Sequence, residues 1–388
     1  QRQMCIRDSV WNDPDSRIYK LLASVRERGM RLAFRINVDS RDQGQNTPFY
    51  VKEAGAKGFQ DPNNSQIWSP YPDDAVFQQK YEKFLQAFAV AFDDPDKVDF
   101  IDAYGLGKWG EAHGVKYNDY SKKEEVFEWI TDVMSRLFTK VPIMINYHRC
   151  LLSTKGSGDV DTGISADLVK RAVAKGFCLR HDAFGMKQYY KDWERGIAAA
   201  YRGIVPITME GGWVESSHGG SIAGDGYKNF AEVRQGEYDE AKGSYVNMMD
   251  FRFATNVNTG ETHSWFNTAF HLVKEFIAEG GYRLYPDRLS IPTTARSGSN
   301  VSLTHRWSNL GWGYCPTNLP QYGDKYKLAI ALLDKNTEKP ARIYIEEKAD
   351  IATWMSGKPK TYTSNIKLTD VAAGTYTWAV GLLSLIHI

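Results

Sequence analysis

Residues 98–113 read VDFIDAYGLGKWGEAH. The first half is a short apolar run of the kind that forms a strand buried inside a parallel sheet, and the second half turns abruptly to glycine and polar residues. Upstream, Phe77, Tyr81, Phe84, Leu85, Phe88 and Phe92 recur at helical spacing from about Asp73, and Pro95 separates that helix from the strand. Downstream, Ser121 with Glu124 predicts a capping box opening a helix that buries Trp129, Ile130, Val133 and Leu137. That helix runs into VPIMIN, 141–146. Helix followed by apolar strand, repeated, is the signature of βα units.

The same unit extends in both directions. Toward the start, Asn12, Asp13 and Pro14 open a helix carrying Ile18, Leu21, Leu22 and Val25 on one face, which closes at Gly29 and precedes RLAFRIN, 31–37. Toward the end, a helix around Leu168–Val173 leads to GFCLRHD (176–182), and one around Tyr189–Tyr201 leads to GIVPITME (203–210). A helix near 228–255 then leads to THSWF (262–266), before a last helix ending ahead of Gly280 and Gly281. Six strands result, where a closed (β/α)₈ TIM barrel has eight within about 250 residues. The fold class expected is therefore α/β: a TIM barrel over 10–285, N-terminally truncated so that its first two strands are missing. An open doubly wound sheet is the alternative, but GLGKWG (105–110) places Lys108 after its second glycine and opens no helix, a poor match to a dinucleotide fingerprint.

After Pro286 the period becomes two. Val301, Leu303, His305 and Trp307 alternate with Ser302, Thr304 and Arg306, and Leu328, Ile330 and Leu332 alternate in the next run. ARIYIEE (341–347) and Tyr376, Trp378 and Val380 follow. This predicts an antiparallel β-sandwich over 286–383. The first nine residues, QRQMCIRDS, and the last five, SLIHI (384–388), read as non-native ends and are set outside the fold.

Across 388 residues, 48 Lys and Arg face 47 Asp and Glu, a balance of +1 that offers no electrostatic footprint for nucleic acid. No apolar run reaches the roughly 18 residues of a membrane span. Aromatics make up 13%, an ample supply of flat stacking surfaces. Setting Cys5 aside with the end segment, Cys150, Cys178 and Cys315 show no CxxC and no zinc-type cluster, and read as buried thiols with neither a disulfide framework nor a metal.

Active sites of parallel barrels lie at the carboxyl ends of the strands. Here those positions hold Arg35 and Asn37; Trp109, Glu111 and His113; Asn146 and His148; His181 and Asp182; Glu210 and Trp213; His263 and Trp265. Glu111 and Glu210 stand out, each beside a glycine and within three residues of a tryptophan. Hydrolysis of a glycosidic bond needs such a pair, one carboxylic acid to protonate the leaving oxygen and one carboxylate to attack or to activate water. Walls of one barrel can hold the two about 5 to 5.5 Å apart for retention or about 6.5 to 9.5 Å for inversion. Arg35 is a candidate to keep Glu210 charged, or equally to pair with Asp102 or Asp182. Asn37, His113, Asn146, His148, His181, Asp182 and His263 are candidate ligands of sugar hydroxyls, and Trp109, Trp213 and Trp265 candidate sugar platforms; Trp68, Trp129 and Trp193 read as packing. The histidines come singly, so a metal-dependent hydrolase built from His113, His148, His181 and His263 ranks below the two-carboxylate reading.

FIDAYGLGKWGEAH, GFCLRHDAFGM, VPITMEGGW, THSWF, GGYRLYP and WSNLGWGYCP resemble a bacterial barrel-plus-sandwich family known as a domain of unknown function, and through it the clan of retaining glycoside hydrolase barrels. The resemblance implies that Glu111, after strand four, is the acid/base and that Glu210, ending strand seven, is the nucleophile. It places Trp11 where the family has a tryptophan after strand two. Where the hydrolase clan usually has Asn before the acid/base, this chain has Gly110. The function implied is a glycosidase acting on a carbohydrate without a cofactor, and export to an extracellular or periplasmic space follows by analogy. A non-catalytic carbohydrate-binding barrel is the alternative.

Overall fold

The computed structural model describes residues 10–41, 44–154, 160–215, 221–255, 259–322 and 326–384. Segment 1–9 with Cys5, and residues 385–388 of the expected C-terminal end, lie outside them. The chain divides into two compact units, one reaching His181 and one beginning at Asp182.

In the first unit, α1 (Arg17–Glu27) is capped by Ser16, whose hydroxyl accepts from the Tyr19 amide at 3.1 Å. It leads to β1 (Leu32–Arg35), an edge strand whose positions alternate between half-buried and exposed, and α1 itself buries no residue fully. Between β1 and the next long helix the chain adds α2 (Phe49–Glu53) and a hairpin of β2 (Gly58–Asp61) with β3 (Asn64–Pro70), which the apolar periodicity does not announce. Gly58 makes the hairpin possible, since a Cβ there would lie on the Ser69 carbonyl and the Trp68 ring.

Helix α3 (Ala75–Phe92) is capped by Asp74 and buries Phe77, Tyr81, Leu85, Phe88 and Phe92, the face its sequence spacing predicts. Trp11 packs edge-on against Phe84, Phe88 and Phe92 of that helix. Then come β4 (Val98–Asp102), α4 (Lys123–Leu137), β5 (Ile143–Asn146), α5 (Thr162–Ala174) and β6 (Cys178–Phe184). The capping box expected at Ser121 and Glu124 does not form. The Asp119 carboxylate accepts from both the Ser121 amide (3.0 Å) and its hydroxyl (2.7 Å), so residues 120–122 coil as a 3₁₀ turn and α4 begins at Lys123.

The chain passes between units within β6: Cys178, Leu179 and Arg180 pair with β5, while the Phe184 carbonyl accepts from the Gly212 amide just past β7 (Ile207–Gly211). Helix α6 (Asp192–Tyr201) precedes β7, and α7 (Phe230–Gly243) leads to β8 (Met248–Met249), which pairs in parallel with β7 through Thr208↔Met248 and Met209↔Met249. The sixth strand is therefore at 248–249. THSWF is not a strand: it folds into the short helices α8 (Thr259–Thr262) and α9 (Ser264–Asn267), with backbone bonds from His263 to Thr259 and from Thr268 to Ser264, ahead of α10 (Phe270–Glu279). Tertiary contacts override the β propensity of Thr, Trp and Phe here, because Ser264 accepts from buried Arg234 at 2.6 Å and Trp265 packs edge-on to Phe251.

The architecture is mixed α/β. Six parallel strands with intervening helices are ordered β1-β4-β5-β6-β7-β8. Strand order rises with chain order throughout, without the reversal that a doubly wound sheet requires. Beyond them lie two antiparallel sheets of three strands: β13 (Lys360–Lys367), β10 (Asn300–Asn309) and β9 (Leu284–Ser290); and β12 (Pro340–Ile345), β11 (Tyr326–Asp334) and β14 (Tyr376–Ser384). Val301, Leu303, Ile330, Leu332 and Ile366, drawn from both sheets, share one apolar cluster, as the period-two pattern predicts. Ser384, which opens the expected C-terminal end, closes β14 opposite Tyr326. Among the described residues no helix is long and apolar enough to cross a membrane.

Candidate functional site

At the carboxyl ends of the first unit's strands, register stacks charge on charge. Arg35, last in β1, lies opposite Asp102, last in β4, and Asn146, last in β5, lies opposite Arg180. The loop after β4 brings Glu111 onto this layer. Its Oε1 meets Arg35 Nη1 at 2.7 Å and Arg180 Nη2 at 3.0 Å, while Asp102 Oδ2 takes Arg35 Nε at 2.7 Å and Arg180 Nε at 3.3 Å. Two guanidiniums and two carboxylates thus cluster, with Arg180 2% exposed, the Glu111 side chain 8% and Arg35 27%.

Backbone strain fixes the loop. Trp109 (φ 58°), Gly110 (φ 75°) and Ala112 (φ 64°) are all left-handed around Glu111, held by bonds from Gly105 to the Gly110 carbonyl (3.2 Å), from Ala112 to Leu106 (2.9 Å) and from Lys108 to His113 (2.9 Å). Gly110 is explained by this turn, because a Cβ there would lie 3.0 Å from the Ile36 carbonyl. Asn tolerates the left-handed angle but would still meet that oxygen.

Asn146 is 1% exposed, and neither its amide nitrogen nor its oxygen has a hydrogen-bond partner among the described residues. Leaving such a group unsatisfied costs about 1–3 kcal/mol.

His113 and His148 come together, with rings stacked at 4.7 Å and 18°. His113 Nε2 lies 4.0 Å from Glu111 Oε2, and Trp109 stands edge-on to His113. His148 Nε2 lies 3.2 Å from the Glu111 carbonyl oxygen, which can only accept, so Nε2 carries hydrogen and Nδ1 faces Cys150 Sγ at 2.9 Å. Burial pushes the Cys150 thiol up, but the charge of His148 and hydrogen bonds from His113 and His148 outweigh it and bring it down to about 5. Cys178 and Cys315 are pushed the other way by burial, both to about 12. Of the three buried thiols among the described residues, Cys150 alone departs from the inert reading, and its reach to two histidines was not legible from spacing.

In the second unit, Glu210 occupies β7 one residue before its end, with its side chain 28% exposed. Arg252 Nη2 lies 3.6 Å from Glu210 Oε1, its Nε lies 3.2 Å from Asp250 Oδ2, and Nη2 also donates to the Gly211 carbonyl. The guanidinium sits 4.4 Å over the Trp213 ring. Within this unit Arg252 is a cation beside Glu210, a residue the sequence reading did not single out, and in the first unit Arg35 pairs with Asp102 and Glu111. Behind β7 lies a buried pair, Arg234 with Glu237 at 2.6 Å, and burial holds the Glu237 carboxyl above its usual range against the pull of Arg234.

The other expected residues are placed as follows. His181 is buried with Tyr147 edge-on to it at 4.8 Å, and Asn37 and Asp182 are half-buried. His263 stacks on Phe253 at 3.8 Å in the second unit. Trp265 is fully buried, edge-on to Phe251 and 5.4 Å from the Arg234 guanidinium. Trp68 is buried, and Trp129 donates to Glu82 Oε1 at 2.9 Å while packing on Phe77 and Tyr81.

No family model matches the chain, and no curated protein matches it. Solved structures similar to it include the catalytic domain of a beta-amylase from Paenibacillus polymyxa, 14% identical over 60% of this chain and 78% of that one, with a TM-score of 0.38. Endo-glycoceramidase II from Rhodococcus sp. is 12% identical over 92% and 86%, also at 0.38. The family 44 endoglucanase Cel44A from Clostridium thermocellum is 10% identical over 93% and 84%, at 0.33. These scores are low, and the functional reading below stands on the site's own residues.

Proposed function

We propose that the protein is a glycoside hydrolase in which Glu210 is the nucleophile and Glu111 the acid/base. The observation that carries this reading is Glu210 itself: a partly exposed carboxylate near the carboxyl end of a parallel strand, beside a guanidinium at 3.6 Å that in turn lies over the Trp213 indole. A nucleophilic carboxylate must stay ionised, which Arg252 favours, and it must be reachable, which its exposure allows. Glu111 meets both guanidiniums on Oε1, and its Oε2 lies 4.0 Å from His113 Nε2, the side from which an acid/base carboxyl would exchange its proton. Asn146 supplies buried amide groups for a sugar hydroxyl.

The test is hydrolysis of an aryl-glycoside panel by the whole chain beside Glu210→Gln and Glu111→Gln. Turnover of at least one glycoside, with kcat lowered about a thousandfold or more in Glu210→Gln, supports the proposal. Equal turnover in the wild type and Glu210→Gln overturns it. The double guanidinium clamp on Glu111 favours a second reading, a carbohydrate-binding protein without catalysis. Its mark is glycan binding by the wild type with no turnover, undiminished in Glu111→Gln.

A further inference from the structure

We propose that His113, His148 and Cys150 form a binding site for a divalent transition metal, with Zn²⁺ the expected occupant. The inference is separate from the glycosidase reading and uses neither Glu210 nor the acid/base oxygen of Glu111. One donor atom from each of the three residues lies within 4.8 Å of the others. Zinc at its usual bond lengths to nitrogen and sulfur, in a tetrahedron, spaces such donors by about 3.3–3.6 Å. Sub-ångström to ångström side-chain shifts therefore close the site. Two imidazoles and a thiolate suit zinc's borderline softness and leave a fourth position for water.

The surroundings orient these donors as metal sites require. His148 gives its Nε2 hydrogen to the Glu111 carbonyl and so presents Nδ1 inward, the outer-shell bond that fixes a ligating histidine. The loop bearing His148 and Cys150 is tied down by Ser165, whose hydroxyl donates to the Arg149 carbonyl at 2.9 Å and accepts from the Leu151 amide at 3.2 Å. His113 rides on the strained loop after β4 and is 12% exposed at its side chain. Cys150 also lines a groove of about 350 Å³ together with Tyr120, Glu124, Ser153 and Ser165. Binding replaces the proton held between His148 Nδ1 and Cys150 Sγ with the metal, and that proton goes to solvent.

The experiment is Co²⁺ titration of the chelator-stripped whole chain, followed by its visible and near-ultraviolet spectrum and by competition with Zn²⁺. One Co²⁺ per chain is expected, with intense tetrahedral d–d bands and a sulfur-to-cobalt charge-transfer band, all removed by Zn²⁺. Cys150→Ser abolishes the charge-transfer band, His148→Gln and the more exposed His113→Gln each weaken binding at least about tenfold, and Cys178→Ser and Cys315→Ser leave the band in place. Circular dichroism of each variant shows that the fold persists. Absence of stoichiometric Co²⁺, or an unchanged spectrum in Cys150→Ser, overturns the proposal. So does alkylation of Cys150 by iodoacetamide at the same rate with and without Zn²⁺, which marks a bare thiolate–imidazolium pair. Because none of these readouts is hydrolysis, failure of the metal site and failure of the glycosidase reading are distinguishable.

Discussion

Removing one guanidinium from the cluster around Glu111 tests the electrostatic core of the first unit. In Arg180→Met, a side chain 2% exposed loses contacts of 3.0 Å to Glu111 and 3.3 Å to Asp102. Methionine fills similar length without charge, so the change is chiefly electrostatic. At an effective dielectric near 20 each contact is worth about 5 kcal/mol of gross attraction, much of it offset by the cost of drying the guanidinium. What decides the sign is what remains: Arg35 alone must then neutralise two buried carboxylates, and breaking a buried pair this way costs about 3–5 kcal/mol. For a unit of this size, at about 2–4 °C per kcal/mol, the unfolding midpoint should fall by about 6–20 °C. Differential scanning calorimetry of the whole chain reads the shift, and urea unfolding checks that m is unchanged. The double variant Asp102→Asn/Arg180→Met should recover part of the loss, because it removes one stranded charge. A drop under about 2 °C, or a double variant as damaged as the sum of the singles, would show that the cluster contributes no more than a surface ion pair and refute the reasoning.

Other expectations follow from single sites. His305 accepts from Trp307 Nε1 at 3.0 Å, so its other nitrogen donates to Ser364 at 3.0 Å, and burial holds its proton affinity below the ordinary histidine value. The unfolded chain therefore takes up a proton that the folded chain refuses once pH drops below about 6.5, and stability falls with pH by at most about 1.4 kcal/mol per unit; equal pH dependence in His305→Gln would rule this out. Gly110→Ala should destabilise by about 1–3 kcal/mol, through its left-handed angle and the Ile36 carbonyl, and should lower any turnover with it; a neutral effect on both by calorimetry and assay contradicts the turn geometry. Hydrogen exchange should be fastest, among the parallel strands and helices, in β1 and α1, which bury no residue fully; protection equal to that of β5 would contradict this.

Long apolar faces were legible because many residues repeat one message. Phe77 through Phe92 could form nothing else, and Val301 to Trp307 alternate as a strand with one buried side must. Met248–Met249 carries no such message: two unbranched residues between Asn247 and Asp250 become a strand only because β7 offers a ladder. THSWF sent the opposite signal and was overruled by Arg234 and Phe251, neither of them local. The strand-end rule placed Arg35, Glu111 and Asn146 at or just after strands of the first unit and Glu210 near the end of β7 in the second, where the structure has them. It passed over Arg180, whose signal was a lone arginine inside the apolar run GFCLRHD, a position that must be paired if buried. Cys150 was beyond reach, since its chemistry depends on His113 from a different strand's loop.

The central claim is that Glu210 attacks a sugar. Incubating the whole chain with a panel of activated 2-deoxy-2-fluoro glycosides, followed by intact-mass and peptide mass spectrometry, tests it directly. The expected result is one added fluorosugar mapped to the peptide carrying Glu210, absent in Glu210→Gln. Hydrolysis of aryl glycosides without any adduct, or an adduct mapped to another residue such as Cys150, would contradict it.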